Sequence, residues 1–220
     1  MSDPRAVAKE AAGRRAAEYV SDGMRVGLGT GSTVHFTILA LGERRPDVVC
    51  CATSERTRAL AGELGLRVVP PDELLALDVA IDGADEVDAR FNLIKGGGGA
   101  HLREKIVATM ARRFIVVVDE AKLVDTLGAF ALPLEVLPFA PAVAAEQVRG
   151  LGARAVTTRL ARSDNGNLLM DAAFDRIDDP AALAARLAAI PGIVEHGLFL
   201  APMVERVVVA GAAGVRELVR

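Results

Sequence analysis

V-A-I-D-G-A-D-E-V-D-A-R-F-N-L-I-K-G-G-G-G-A-H-L-R-E-K, residues Val79 to Lys105, is the stretch around which the chain is organised. Val79-Ala80-Ile81 reads as the end of a buried strand, so Asp82 and Asp85 leave a sheet at its C-terminal edge. Ligands collect at that edge in open α/β sheets. Lys95 opens a glycine run, Gly96 to Gly99, through which the backbone can approach a ligand closely with several N–H groups turned inward. From Ala100 to Arg112, Leu102, Ile106, Val107 and Met110 recur at helical spacing. Glu104 shares its helix face with Ala100, Ala108 and Ala111, small residues that leave room beside a carboxylate. Three carboxylates, an ammonium and a donor-rich loop in one stretch make an acid–base site for an anionic substrate.

Outward from this stretch, strands and helices alternate. An Ala-rich amphipathic helix over Arg5–Val20 precedes a strand at Met24–Leu28, the loop Gly29-Thr30-Gly31-Ser32-Thr33 and a helix through Leu41. Strands follow at Val48–Cys51, Arg67–Val69 and Phe114–Val118, with a helix at Glu55–Leu64. The alternation predicts a Rossmann-like, mostly parallel sheet flanked by helices. Beyond Phe130 the pattern changes to βαββαβ. Strands lie at Leu132–Leu137, Arg154–Arg159, Leu168–Ala173 and Gly192–Leu200, with helices at Ala140–Gly150 and Pro180–Ala189 and a hairpin turn at Asn165-Gly166. That order is the split-βαβ pattern of a ferredoxin-like α+β domain. Arg206–Ala210 reads as a buried strand that rejoins the first sheet. The expected organisation is a large unit of residues 1–129 plus 205–220, with a small unit of 130–204 inserted.

Composition narrows the function classes. A chain of 220 residues with 51% hydrophobic and 25% charged residues has the make-up of a globular protein with an ample core. A net charge of −3 argues against a general nucleic-acid binder, yet leaves room for a local cation cluster that holds a phosphate. No tryptophan and one tyrosine leave few platforms for stacking bases. Cys50 and Cys51 are neighbours in a strand, point to opposite faces and read as core packing. No signal peptide and no membrane-length apolar run are visible, so the expected location is the cytoplasm.

Each candidate site has a plain reading beside the chemical one. Gly27–Thr33 is a strand, a Gly-rich turn and a helix start that can hold an anion, or a tight turn with an N-cap. It lacks the third glycine of a dinucleotide fingerprint and the Gly-Lys-Ser/Thr of a P-loop. Asp82 and Asp85 do not have the spacing of a calcium loop and could be turn and cap residues. Glu104 is either an exposed first-turn glutamate favoured by the helix dipole or a general base. His35, His101 and His196 show no ligand spacing, so no metal and no cofactor are expected.

Taken together, these motifs resemble the ribose-5-phosphate isomerase A family of the pentose phosphate pathway. The resemblance spans nearly the whole chain. It rests on G-L-G-T-G-S-T at Gly27–Thr33, I-D-G-A-D-E at Ile81–Glu86, K-G-G-G-G-A at Lys95–Ala100 and R-E-K at Arg103–Lys105. L-P-L-E-V-L-P-F-A at Leu132–Ala140 and D-N-G-N at Asp164–Asn167 complete it. It implies an aldose–ketose isomerase that interconverts ribose 5-phosphate and ribulose 5-phosphate through a cis-enediolate. Glu104 takes the place of the proton acceptor, with Asp82, Asp85 and Lys95 as further catalytic groups. The substrate-binding segments it implies are Thr30, Gly31, Ser32 and Thr33; Asp82, Gly83, Ala84 and Asp85; and Lys95, Gly96, Gly97 and Gly98. Lys122 and Lys9 resemble contacts to the substrate phosphate. The partners implied are the sugar phosphate and further copies of the chain in a dimer or tetramer, without nucleic acid or membrane.

Rival readings are a sugar-phosphate deaminase or lactonase on the same sheet, a sugar-phosphate sensor domain and a coenzyme A transferase. A sensor would need a DNA-binding segment, which the sequence does not offer. With no metal cluster in view, the isomerase activity is expected to persist after exhaustive EDTA treatment. Activity lost to the chelator and restored by a divalent ion would contradict this.

Overall fold

The computed structural model describes residues 4–220. Residues 1–3, placed in the large unit by their sequence, lie outside the described residues. The first half of the chain runs α1 (Pro4–Ala17), β1 (Arg25–Leu28), α2 (Val34–Arg44), β2 (Val49–Ala52), α3 (Glu55–Glu63) and β3 (Arg67–Val68). There follow β4 (Val79–Asp82), β5 (Glu86–Asp88), β6 (Leu93–Ile94), α4 (His101–Met110), β7 (Phe114–Asp119) and β8 (Leu123–Val124). The second half runs β9 (Leu132–Val136), α5 (Pro141–Gly150), β10 (Ala155–Arg162), β11 (Leu168–Ala173) and α6 (Pro180–Ala188). It ends with β12 (Ile193–His196), β13 (Leu198–Phe199), β14 (Arg206–Gly211) and β15 (Gly214–Val219).

Two compact units result. The first comprises the chain up to Gly83, Arg103–Lys122 and Pro202–Arg220. Its sheet has the order β15-β14-β7-β4-β1-β2-β3. Every neighbouring pair is parallel except the edge pair of β14 and β15. From β1 the chain moves outward through β2 to β3, then returns to β4 on the other side of β1 and continues to β7 and β14. The direction of winding therefore reverses between β1 and β4, the switch point at which open α/β sheets bind ligands. The central strands are buried apolar runs, as strands covered on both faces must be: Val79–Ile81, Phe114–Val118 and Val207–Ala210 are all buried. Ala12, Ala16 and Val20 join Val26, Leu28, Ile81, Ile115 and Val117 in its core.

The edge strand β15 was not foreseen from the sequence, because it is mostly exposed and carries no apolar alternation. Polar contacts tie it down instead: Glu217 Oε1 accepts from Tyr19 Oη at 2.6 Å and from Arg15 Nε at 2.7 Å.

The second unit comprises Ala84–Leu102 and Leu123–Ala201. Its four-stranded antiparallel sheet, β10-β11-β9-β12, with α5 and α6 gives the split-βαβ arrangement. Leu132, Leu134, Val136, Met170, Ala172 and Leu187 fill its core.

These boundaries differ from the 130–204 expected. Short strands β5, β6, β8 and β13 form a separate sheet of the second unit, which draws residues 84–102 into it. Two- and three-residue strands give almost no periodic signal. The single strand expected over Gly192–Leu200 is also two strands. Gly197 is the joint: its N–H donates to Pro133 O, its carbonyl accepts from Lys95 N, both at 2.8 Å, and a Cβ there would lie 2.2 Å from Lys95 O.

Cys50 and Cys51 are fully buried, and burial is the leading cause that pushes their thiols up to about 12 and about 11. Both stay protonated through pH 9, so the native protein is expected to resist iodoacetamide at pH 8.5. Rapid alkylation before unfolding, read by mass spectrometry, would contradict the core assignment.

Candidate active site

The first unit holds Thr30–Thr33, Asp82, Gly83, Glu104, Lys9 and Lys122; the second holds Ala84, Asp85, Lys95 and the glycine run.

Asp82 is the last residue of β4 and is only 3% exposed. Its Oδ1 accepts from the N–H groups of Thr30 at 3.1 Å and Gly83 at 2.7 Å. A buried carboxylate needs such donors. The carboxylate lies against the backbone of the β1 loop: a Cβ on Gly29 would sit 2.1 Å from Asp82 Cγ. Only glycine fits there.

The loop that follows β1 divides its labour. The Thr30 hydroxyl donates to Ser54 Oγ at 2.7 Å and lies 2.8 Å from Thr53 Oγ1. Ser54 in turn donates to Thr57 Oγ1 at 3.1 Å, and Thr57 donates to Gly29 O at 2.9 Å. Each hydroxyl carries one proton, so this relay commits the Thr30 proton to the protein. Thr33 is buried as the N-cap of α2. Ser32 is exposed, and its Oγ accepts from Lys9 Nζ at 3.0 Å. Lys9, Gly31, Ser32, His35 and Arg56 line a cavity of about 640 Å³ at the start of α2. Two cations, a hydroxyl and a helix N-terminus suit an anion. Lys122 follows β7 in a short 3₁₀ turn and is partly buried.

Glu104 lies in the first turn of α4 and is 4% exposed. Glu104 is buried together with Ala100 and Ala108, two of the small residues whose face it shares, and with His101 and Val107, while Ile106 is 48% exposed. The cause is close packing on β1, where a Cβ on Gly27 would fall 2.5 Å from Val107 Cγ1. The helix turns its small side to the sheet and carries Glu104 in with it.

In the second unit, Asp85 Oδ2 accepts from Gly97 N at 2.7 Å. Gly96 and Gly99 have φ of 103° and 81°, left-handed conformations that glycine adopts without strain, and Gly99 N closes the turn on Gly96 O at 2.9 Å. Lys95 is only 2% exposed, with Nζ 5.3 Å from the centroid of the Phe199 ring. His101 is fully buried, its Nε2 3.4 Å from Glu195 O, and a Cβ on Gly96 would meet its ring at 2.7 Å.

Sequence reasoning missed Thr53, Ser54 and Thr57 as the scaffold of the β1 loop. The signal was available, since two hydroxyls directly follow β2, the parallel neighbour of β1. It also missed Arg159, whose guanidinium donates to Gly96 O and Gly97 O at 3.1 and 3.0 Å. A lone arginine in a strand far along the chain gives no such signal.

Among the described residues, no group of three or more His, Cys, Asp or Glu side chains could hold a metal ion. No helix among them is long and apolar enough to cross a membrane.

A doubly wound sheet with a buried carboxylate at its switch point and another in a helix's first turn places the chain among α/β enzymes of acid–base chemistry. Comparison with known proteins makes the assignment specific. Residues 49–214 match the family model for ribose 5-phosphate isomerase A (phosphoriboisomerase A). The chain is 48% identical to ribose-5-phosphate isomerase A of Thermomicrobium roseum, over 97% of this chain and 94% of that one. It is 50% identical to the Methanoregula boonei protein of the same name, over 90% and 87%. A solved D-ribose-5-phosphate isomerase in complex with phospho-erythronic acid aligns with a TM-score of 0.94 at 40% identity, covering 97% and 98% of the two chains. Ribose 5 phosphate isomerase A from Neisseria gonorrhoeae aligns with a TM-score of 0.94 at 33% identity, covering 98% and 97%. The chain belongs to the ribose 5-phosphate isomerase A family.

The contact of Gly29 with Asp82 yields a test. Gly29→Ala must displace the carboxylate from the Thr30 and Gly83 amides. The expected cost is about 1–3 kcal/mol in urea unfolding. A misplacement of this size is also expected to lower kcat by about 10². An unchanged kcat would mean that Asp82 need not sit where it does.

Proposed function

We propose that this chain interconverts D-ribose 5-phosphate and D-ribulose 5-phosphate through a cis-enediolate, with Glu104 as the base that moves the proton between C2 and C1. The single observation that carries the assignment of Glu104 is its burial in the first turn of α4, in a chain whose family is that of ribose 5-phosphate isomerase A. A carboxylate withdrawn from bulk water in the first turn of a helix suits abstraction of a proton beside a carbonyl.

The substrate is mostly a closed ring, so a proton must first move between the ring oxygen and O1. Asp82 takes that role, held in one rotamer by two amides. Glu104 then removes the C2 proton as the C1 aldehyde becomes an enediolate. Negative charge grows on the oxygens. Lys95 and the Gly98 amide face this charge in the proposed step, and each preorganised donor of this kind is worth roughly 3–4 kcal/mol. Asp85 holds a hydroxyl or passes a proton between O1 and O2. Return of the proton from Glu104 to C1 gives the ketose. Lys9, Ser32 and Lys122 hold the phosphate, with Thr30, Gly31 and Thr33 shaping that loop and Gly83 and Ala84 lining the sugar.

We also place the protein in the cytoplasm as a homodimer or tetramer of the pentose phosphate pathway. Mass in solution tests the assembly.

The deciding experiment is to mix purified protein with ribose 5-phosphate and follow ribulose 5-phosphate. A positioned base contributes roughly 10²–10⁴ in rate, so Glu104→Gln is expected to lose at least 10² in kcat while KM stays near that of the parent. Turnover close to the parent's would remove Glu104 from the mechanism.

A further inference from the structure

The glycine run has to present its N–H groups in one direction, yet glycine is the residue least able to hold a direction by itself. Something must hold it. In the second unit the run is gripped through its carbonyls. Arg159 Nη1 donates to both Gly96 O and Gly97 O, at 3.1 and 3.0 Å. The other edge of the same guanidinium is fixed by Asp171, with Nε to Oδ2 at 2.8 Å and Nη2 to Oδ1 at 2.6 Å. Such a two-pronged pair sets the plane as well as the place of the guanidinium. Arg159 is 19% exposed at its side chain, so water competes weakly for the same donors.

The local fold explains why this arginine reaches the loop. It lies on β10, the edge strand of the β10-β11-β9-β12 sheet, where pairing with β11 shifts register between Thr158 and Arg162. Irregularities of this kind re-aim a side chain out of the ladder. From β11, Leu169 packs on the far end of the run: a Cβ on Gly99 would lie 2.6 Å from Leu169 Cδ1.

The peptide bond supplies the remaining step. A trans peptide is planar, with its N–H opposed to its C=O. Two carbonyls that converge on one nitrogen of Arg159 therefore turn the N–H groups of Gly97 and Gly98 to the opposite side. The first of these donates to Asp85 Oδ2 at 2.7 Å. Asp171, Arg159, the loop carbonyls, the loop amides and Asp85 are thus linked in order by hydrogen bonds and, between carbonyl and amide, by rigid peptide planes.

We infer that Arg159, oriented by Asp171, is a positioning residue for the isomerisation: it clamps the Gly96 and Gly97 carbonyls and so aims the Gly97 amide at Asp85 and the Gly98 amide at the charge that develops on the sugar. The role rests on the isomerase reading above. Arg159 touches no substrate atom in this account.

The test compares Arg159→Met, Arg159→Lys and Asp171→Asn with the parent, and uses Leu160→Ala, at a fully exposed position of the same strand, as a control. Donors aimed at developing charge act on the transition state, so Arg159→Met is expected to lower kcat by about 10² with KM changed less than about threefold. Lysine is a single point donor and cannot reproduce the fork, so Arg159→Lys should fall nearly as far. Asp171→Asn should fall in the same direction by less, and Leu160→Ala should match the parent. Affinity for phospho-erythronic acid, measured by calorimetry, should weaken in parallel with kcat. The amide resonances of Gly97 and Gly98 in ¹⁵N-labelled protein should shift in Arg159→Met while the melting temperature stays within a few degrees of the parent.

Three results would overturn the inference: kcat retained in Arg159→Met, full rescue by lysine, or a loss of activity that only follows a loss of thermal stability. A parent protein that makes no ribulose 5-phosphate would sink the isomerase reading instead. The clamp would then stand or fall on the two glycine amide shifts alone.

Discussion

A carboxylate pressed against a strand-end glycine is the constraint on which the first unit depends. Asp82 ends β4 at the position where the sheet reverses its winding, and its Oδ1 collects the Thr30 and Gly83 amides. One amide belongs to the loop leaving β1, the other to the loop leaving β4. The same side chain thus fixes both exits. Burying a charge costs several kcal/mol unless donors replace the lost water, and here they are backbone groups that need no ordering of their own. The arrangement exists only because residue 29 has no side chain. Removing either partner would leave a buried group unsatisfied, a heavier loss than the bond itself contributes.

The second unit meets the opposite difficulty. A run of glycines pays the largest backbone entropy on ordering and has no side chains with which to anchor itself. Its anchors come from elsewhere in the chain: Asp85 on an amide, Arg159 on two carbonyls, and Leu169 and His101 against the small Cα surfaces of Gly99 and Gly96. A preorganised donor loop stabilises charge only if its dipoles do not have to turn during the reaction. Rigidity is therefore the property these contacts supply, and a flexible sequence becomes a fixed surface.

Parts of this were legible in the residues alone. The apolar runs before Asp82 and through Phe114–Val118 announced parallel strands, because a strand covered on both faces leaves no polar alternation. Asn165-Gly166 announced its hairpin, and Gly166 does take φ of 82°. The four short strands around residues 86–94, 123–124 and 198–199 were not legible, since two or three residues carry no period and their pairing is decided by distant partners. For the same reason the unit boundaries shifted. The small neighbours of Glu104 are legible as one helix face, but which side of the helix is buried is not, because a short helix with Ile106 outward looks amphipathic about two axes. Packing against Gly27 chose between them.

What pattern reading cannot see is a residue whose importance lies in what it holds. Glu135 illustrates the point beside Arg159. In the sequence it is one acidic residue between two prolines; in the structure it is 1% exposed, and its Oε1 accepts from Ser163 Oγ, Asn165 Nδ2 and Asn167 Nδ2 at 2.7, 3.0 and 2.8 Å. Two motifs that stand almost thirty residues apart, L-P-L-E-V and D-N-G-N, are one object: a buried carboxylate and the hairpin that closes over it. A charge buried this deeply is tolerated only when its donors arrive from a turn that can take no other shape, which is why the asparagines and the left-handed glycine come together. The hairpin joins β10 to β11, and those two strands carry Arg159 and Asp171. The carboxylate that fixes the turn thus also fixes the register from which the arginine is aimed.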